Sequence, residues 1–466
     1  MDLLFRGGTL ILPEGRVQTE LRVHDGVIAQ LGQNLPEDGA TSIDLSGRLL
    51  LPGAIDAHTH MATQCAMAAT ADDYFTGTRA GLCGGTTTII DYLLQEKGEP
   101  LPETLRKRKA MAAPDAAGDY AFHIGVQDLS TPELLDSVAD VMRQGVTSFK
   151  AYMVYDFGLS DEDLYRLLRF TAPLGGLVAV HAENRGVIDE RVKRYLAEGK
   201  TDAWWHYMSR DEQVEAEADE RALRLAQMAE APLYPVHLAN EAGMAAVTRA
   251  RDEGQPVFAE TCPQYLAFTS EVYRRRSGRN FVCSPPIKGE ASQAALWRGL
   301  IRGDVSTVAT DHCPFQKAEK DYGLVRPDGT PGDFTSIPNG CSGVETMYPY
   351  LLSEANRGRL PFERVAAVCA RNPARLFGLD HRKGALLPGL DADLVVFDPQ
   401  RDAVVRSRDQ HGAADHTIWE GTALHGAIDE VYSRGRLAYK RGDFLGRIGG
   451  GQFLECRPVH PKAGDA

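Results

Sequence analysis

The chain has 466 residues and a formal net charge of −13. That acidity argues against nucleic acid or an anionic membrane as a partner, since both need basic surface. No apolar run approaches the roughly 18 residues that cross a bilayer, and the N-terminus lacks the pattern of a secretory signal. The eight cysteines are scattered, with no C-x-x-C pair. A disulfide framework or a zinc ribbon is therefore not expected, and reduced thiols in a cytoplasm fit better.

The first fifty residues read as short strands and tight turns, with Asp25-Gly26 a good hairpin turn. A different rhythm follows. Apolar, β-branched runs recur at 49–56, 86–93, 120–126, 146–153, 177–183, 233–238, 256–261 and 305–310. Amphipathic stretches at 72–83, 131–144, 161–171, 211–229 and 241–253 fall between them. Near-continuous apolar strands alternating with helices indicate a parallel sheet covered on both faces, and eight such units indicate a closed (β/α)8 barrel. After Gly378 the strand-and-turn texture returns. The expected organisation is α/β: a barrel over 52–378, a small β-sandwich built from 1–51 and 379–445, and a C-terminal arm or frayed tail over 446–466.

Barrel active sites sit at the C-terminal ends of the strands. The first run ends in His58-Thr59-His60, and residues two apart on a strand point the same way. Lys150 lies on the fourth run, His181 ends the fifth, His237 the sixth, and Asp311 the eighth. Each has a bland alternative when taken alone. A strand-end histidine can be a hydrogen-bonded core residue, Asp311 a helix N-cap, and Lys150 a side chain snorkelling out of the mouth. A metal site explains all six at once. His123 lies within its strand rather than at the mouth, and His312, directly after Asp311, should face the other way. The other histidines (24, 206, 381, 411, 416, 425 and 460) read as structural or surface residues.

An ammonium has no lone pair for a metal, so Lys150 needs its own explanation. A lysine kept neutral by burial can react with carbon dioxide to give a carbamate, which can bridge two cations. Two divalent ions about 3.5–4 Å apart could then share a hydroxide. Mixed imidazole and oxygen ligands suit zinc, with manganese, cobalt or iron as substitutes.

With these residues in view, the chain resembles the cyclic amidohydrolases of the dihydropyrimidinase and hydantoinase type, most of all the bacterial D-hydantoinases and phenylhydantoinases. The resemblance runs from Pro52-Gly-Ala-Ile-Asp-Ala-His-Thr-His60 to Pro388-Gly-Leu-Asp-Ala-Asp-Leu-Val395. It includes Glu260-Thr-Cys-Pro-Gln-Tyr265, Ser284-Pro-Pro286, Ile337-Pro-Asn-Gly340 and Asn372-Pro-Ala-Arg-Leu-Phe-Gly378. It implies a homotetramer or dimer and a carboxylated Lys150 bridging two ions. His58, His60 and Asp311 would hold one ion, and His181 and His237 the other. Tyr155 matches a donor to the developing oxyanion, and Ser284 and Asn339 match positions whose backbone groups hold the cyclic amide. The implied reaction is attack of the bridging hydroxide on the ring carbonyl, with Asp311 carrying the proton to the departing nitrogen. Its product is an N-carbamoyl amino acid.

Other readings are weighed against this one. Non-catalytic scaffold relatives lack metal ligands, whereas every ligand position here is filled. Dihydroorotases carry an arginine two residues beyond the His-x-His, where this chain has Ala62. A mononuclear deaminase would leave Lys150 without a task. Dihydropyrimidinase proper and allantoinase stay open. The small residues of Met61-Ala-Thr-Gln-Cys-Ala-Met-Ala-Ala69, together with Leu159, imply a roomy pocket that takes bulky aryl substituents on the ring.

Overall fold

A computed structural model of the chain describes residues 2–465. Eight short parallel strands form the barrel: β1 (Ala54–Thr59), β2 (Thr86–Leu94), β3 (Asp119–Gly125), β4 (Ser148–Tyr152), β5 (Leu177–His181), β6 (Leu233–Pro235), β7 (Ala259–Thr261) and β8 (Val305–Val308). β1 to β6 lie side by side in chain order, and β7 pairs with β8. Bridges between Leu233 and Val257, and between Thr59 and His312, close the ring. Alternation along each strand sorts the side chains. Phe149 and Ala151 of β4, and Val178 and Val180 of β5, pack outward with the helices. Leu177 and Ala179 instead belong to a separate inner core with Ala121 and Tyr234.

The helices start where short polar residues cap them. Thr131, Ser160, Asp211 and Asn240 each accept a backbone N–H from the first turn of the helix that follows. Those helices span Pro132–Met142, Asp161–Thr171, Glu212–Met228 and Glu241–Asp252.

Three of the sequence expectations shift. The apolar run at 49–56 is two strands, broken at Gly53. Leu49–Pro52 pairs antiparallel with Leu394–Asp398 in the sandwich, and the barrel strand begins only at Ala54. Gly53 sits so close to Thr87 that a Cβ there would meet its hydroxyl at 2.3 Å. The runs at 233–238 and 305–310 end as strands at Pro235 and Val308. Their last residues turn out of the sheet, with φ of +39° at His237 and +52° at Asp311, a region that strands do not use.

Both ends of the chain build the sandwich. A seven-stranded sheet places Leu49–Pro52 between Thr9–Leu12 and Leu394–Asp398, and a four-stranded sheet is centred on Leu3–Arg6 and Glu20–His24. Asp25 and Gly26, both with positive φ, make the expected hairpin turn. Lys383 ties the two units together. Its buried ammonium meets Asp119 at the start of β3 (2.7 Å), and Asp391 (2.9 Å) and Asp393 (2.7 Å) at the edge of the sandwich. The final segment is docked rather than frayed. It runs beneath the barrel, where the backbone N–H groups of Leu454, Cys456 and Arg457 donate to Tyr120, Gly145 and Gly378.

Candidate active site

At the C-terminal mouth of the barrel, His58, His60 and Asp311 present ligand atoms that all lie within 4.8 Å of one another, a group that could hold a metal ion. Asp311 Oδ1 is 3.2 Å from His58 Nε2 and 3.1 Å from His60 Nε2. Lys150 Nζ reaches the same His58 Nε2 at 2.8 Å, and also lies 4.3 Å from the centre of the Tyr92 ring. Facing them, His181 Nδ1 and His237 Nε2 are 3.0 Å apart. The two groups adjoin, since the rings of His58 and His237 are 5.4 Å apart.

The outer partners set which nitrogens face inward. His58 Nδ1–H donates to Glu260 Oε1 at 2.6 Å, which leaves its Nε2 lone pair toward Lys150 and Asp311. His181 Nε2–H donates to Glu183 Oε2 at 2.7 Å, which leaves its Nδ1 toward His237. Two ring nitrogens 3.0 Å apart repel unless a proton or a cation lies between them. A carboxylate behind each imidazole is the arrangement that orients metal-binding histidines. Burial, with Lys150 and the other imidazoles nearby, pushes His58 well below its ordinary range, and burial does the same to His237. Both shifts favour the neutral imidazole, the form that can act as a ligand.

Burial opposes charge on Glu183, but Arg210 and His181 overcome it and hold the carboxyl down to about 2. Glu260 stands differently. Burial pushes it up to about 8, while Tyr234 and the backbone of His237 pull against that. Three donors converge on it (His58, Tyr234 at 2.8 Å and the His237 N–H at 3.0 Å), the surroundings of an acceptor-only carboxylate. Burial pushes Lys150 down to about 8, despite the opposing pull of Asp311 and Glu260.

Tyr155 sits beside this cluster, its ring 5.5 Å from that of His181. Its backbone has φ of +71°, rare for an aromatic residue, and the Arg185 guanidinium donates to its carbonyl at 2.8 Å. Ser284 lies against the Tyr155 phenol. Asn339 joins through its loop, because Gly340 N–H donates to Val282 O at 2.9 Å. His312 faces away, as expected, bonding Asp72 through Nε2 and accepting from Gly343 N–H through Nδ1. His123 lies deeper in the barrel, donating from Nε2 to Ala57 O.

Sequence reasoning missed Glu260, Glu183 and Arg210 as parts of this site. Glu183 carries a faint signal, two residues beyond His181. Glu260 stood in a quoted motif, but nothing local ties it to a histidine 202 positions away.

Comparison with known proteins gives the family and the fold. The chain belongs to the amidohydrolase family, whose profile matches residues 49–438. It is 38% identical over 465 residues to the D-phenylhydantoinase of Escherichia coli K12, covering 99% of both chains. Its fold matches a D-hydantoinase from a Bacillus species with a TM-score of 0.94 and 35% identity, over 98% of this chain and 99% of that one. A dihydropyrimidinase from Brevibacillus agri matches with a TM-score of 0.95 and 34% identity, at the same coverage.

Proposed function

We propose that this chain is a two-metal hydrolase of cyclic amides that opens hydantoin rings to N-carbamoyl amino acids, with aryl-substituted hydantoins among its good substrates. The observation that carries this reading is the place of Lys150. A buried lysine lies 2.8 Å from His58 Nε2, and the His58 ring in turn lies 5.4 Å from that of His237 in the facing pair. The full-length likeness to a D-phenylhydantoinase supports the substrate class.

In this reading His58, His60 and Asp311 would hold one divalent ion, His181 and His237 would hold a second, and Lys150, carboxylated on its amine, would serve as a ligand to both. Zinc suits the donor set, with manganese, cobalt or iron as substitutes. Bound there, such ions supply Lewis acidity and water that ionises near neutral pH. The chain's own groups do the rest. Asp311 takes up a proton at its carboxylate and returns it to the leaving amide nitrogen. The Tyr155 hydroxyl donates to the oxyanion that develops on the ring carbonyl.

Ser284 and Asn339 hold the ring amide through their backbones. In support, neither residue makes a backbone hydrogen bond among the described residues, and the buried Asn339 Oδ1 has no partner there. Unpaired polar groups in a buried setting are costly unless a ligand satisfies them. The scattered cysteines, with no C-x-x-C pair, fit a reducing cytoplasm as the compartment, and two or four copies of the chain would form the working assembly.

The test is to purify the protein with zinc or manganese, count bound metal, and follow N-carbamoyl product from phenylhydantoin. Two ions per chain and ring opening are expected. A protein that binds two ions yet opens no cyclic amide would refute the reading.

A further inference from the structure

We propose that Lys320 is a positioning residue for substrate binding: its ammonium clamps together the two loops that carry Ser284 and Asn339. This rests on the reading of those two residues as the groups that hold the ring amide. Lys320 ends the short helix Lys317–Lys320, which follows β8 and Asp311. It is 1% exposed. Its Nζ donates to Val282 O (2.9 Å), Pro338 O (2.7 Å) and Gly340 O (2.7 Å), and these carbonyls are its only polar partners among the described residues. An ammonium has three donors, and all three are used.

The pattern of anchoring around the two loops is selective. On one side, Val282 O also accepts from Gly340 N–H, Cys283 O accepts from His206 Nε2–H at 2.8 Å, and Pro285 O accepts from Tyr265 at 2.7 Å. On the other, Pro338 O and Gly340 O are held by Lys320 itself. Ser284 and Asn339 lie between these anchors, and their own backbone groups are left for a ligand. Gly340 allows the close approach, since a Cβ there would meet Cys313 O at 2.2 Å.

Burying an ammonium without a carboxylate partner is expensive. A methionine of similar length would fill the same space without that cost. The placement therefore makes most sense as a device for fixing distance between two loops. Small displacements of substrate-holding groups have large kinetic effects. Because the helix begins six residues after Asp311, the same clamp also ties both loops to the segment that carries that candidate ligand.

The experiment compares the full-length protein with Lys320→Met and Lys320→Gln, each checked for metal content. It reads steady-state kinetics on phenylhydantoin and backbone hydrogen exchange over 282–285 and 338–341. The Met variant should keep its metal, raise KM by about tenfold or more with a smaller change in kcat, and exchange faster in both loops. The Gln variant retains two donors and should fall between; it carries the test alone if the Met variant does not fold. Unchanged KM in a folded variant, or unchanged exchange in either loop, would overturn the proposal. Failure of the cyclic-amidase reading looks different, because the wild-type protein would then open no ring while the exchange data still report on the clamp.

Discussion

Lys150 Nζ lies 2.8 Å from His58 Nε2, with both side chains buried inside the barrel. Neither residue has a reason to be there in a purely structural core. A buried amine against an imidazole lone pair makes sense where the amine becomes a carboxylate-like ligand and the imidazole holds a cation. Lys150→Ala should therefore lose bound metal and lower turnover by more than about a hundredfold, beyond the effect of removing an outer partner. Metal analysis of the purified variant checks this. Full metal content in a folded Lys150→Ala protein would remove the bridging role.

Glu260 should matter for metal affinity although it would touch no metal. It takes the Nδ1–H of His58 at 2.6 Å and thereby keeps Nε2 free to face inward. Glu260→Gln preserves the size but weakens the acceptor, and should reduce metal affinity by about 10–100-fold. Competition with a chelator measures it. The fold, read by circular dichroism, should be unchanged.

Tyr155 is expected to act on the transition state rather than on binding. Tyr155→Phe should lower kcat by about 100–1,000-fold while KM moves little, as for loss of one oxyanion donor. A variant that raises KM and keeps kcat would assign the hydroxyl to substrate binding instead.

The strand-end candidates were readable because a strand has period two and a barrel gathers its strand ends in one place. His58, His60, His181, His237 and Asp311 could thus be picked out with no knowledge of contacts. The limits of the strands were less readable. At Gly53 the apolar pattern continues unbroken while the chain passes from one sheet to another, because both sheets bury it. At His237 and Asp311 the turn out of the sheet depends on positive φ, which no glycine announces. Glu260 and Lys320 act across long stretches of sequence, on His58 and on three backbone carbonyls, so spacing carries no trace of them. Ser284 and Asn339 came from family resemblance alone.

Stability should depend sharply on Lys383. Its ammonium is buried against Asp119, Asp391 and Asp393, joining barrel to sandwich. Lys383→Met would leave Asp393 without its cation and Asp119 and Asp391 with only Arg434 and Arg382, and should destabilise the protein by about 3–5 kcal/mol. Denaturant melts of the wild type and the variant give the difference. Variants at Asp391, the most exposed of the three carboxylates, should cost less.

The most direct measurement is ring opening by the metal-loaded wild-type protein across phenylhydantoin, unsubstituted hydantoin, dihydrouracil and allantoin. This account predicts an N-carbamoyl amino acid from the hydantoins, with phenylhydantoin accepted at least as well as dihydrouracil. Dihydrouracil opened far better than phenylhydantoin would contradict the roomy pocket, and no opening of any ring by a protein carrying two ions would contradict the central claim.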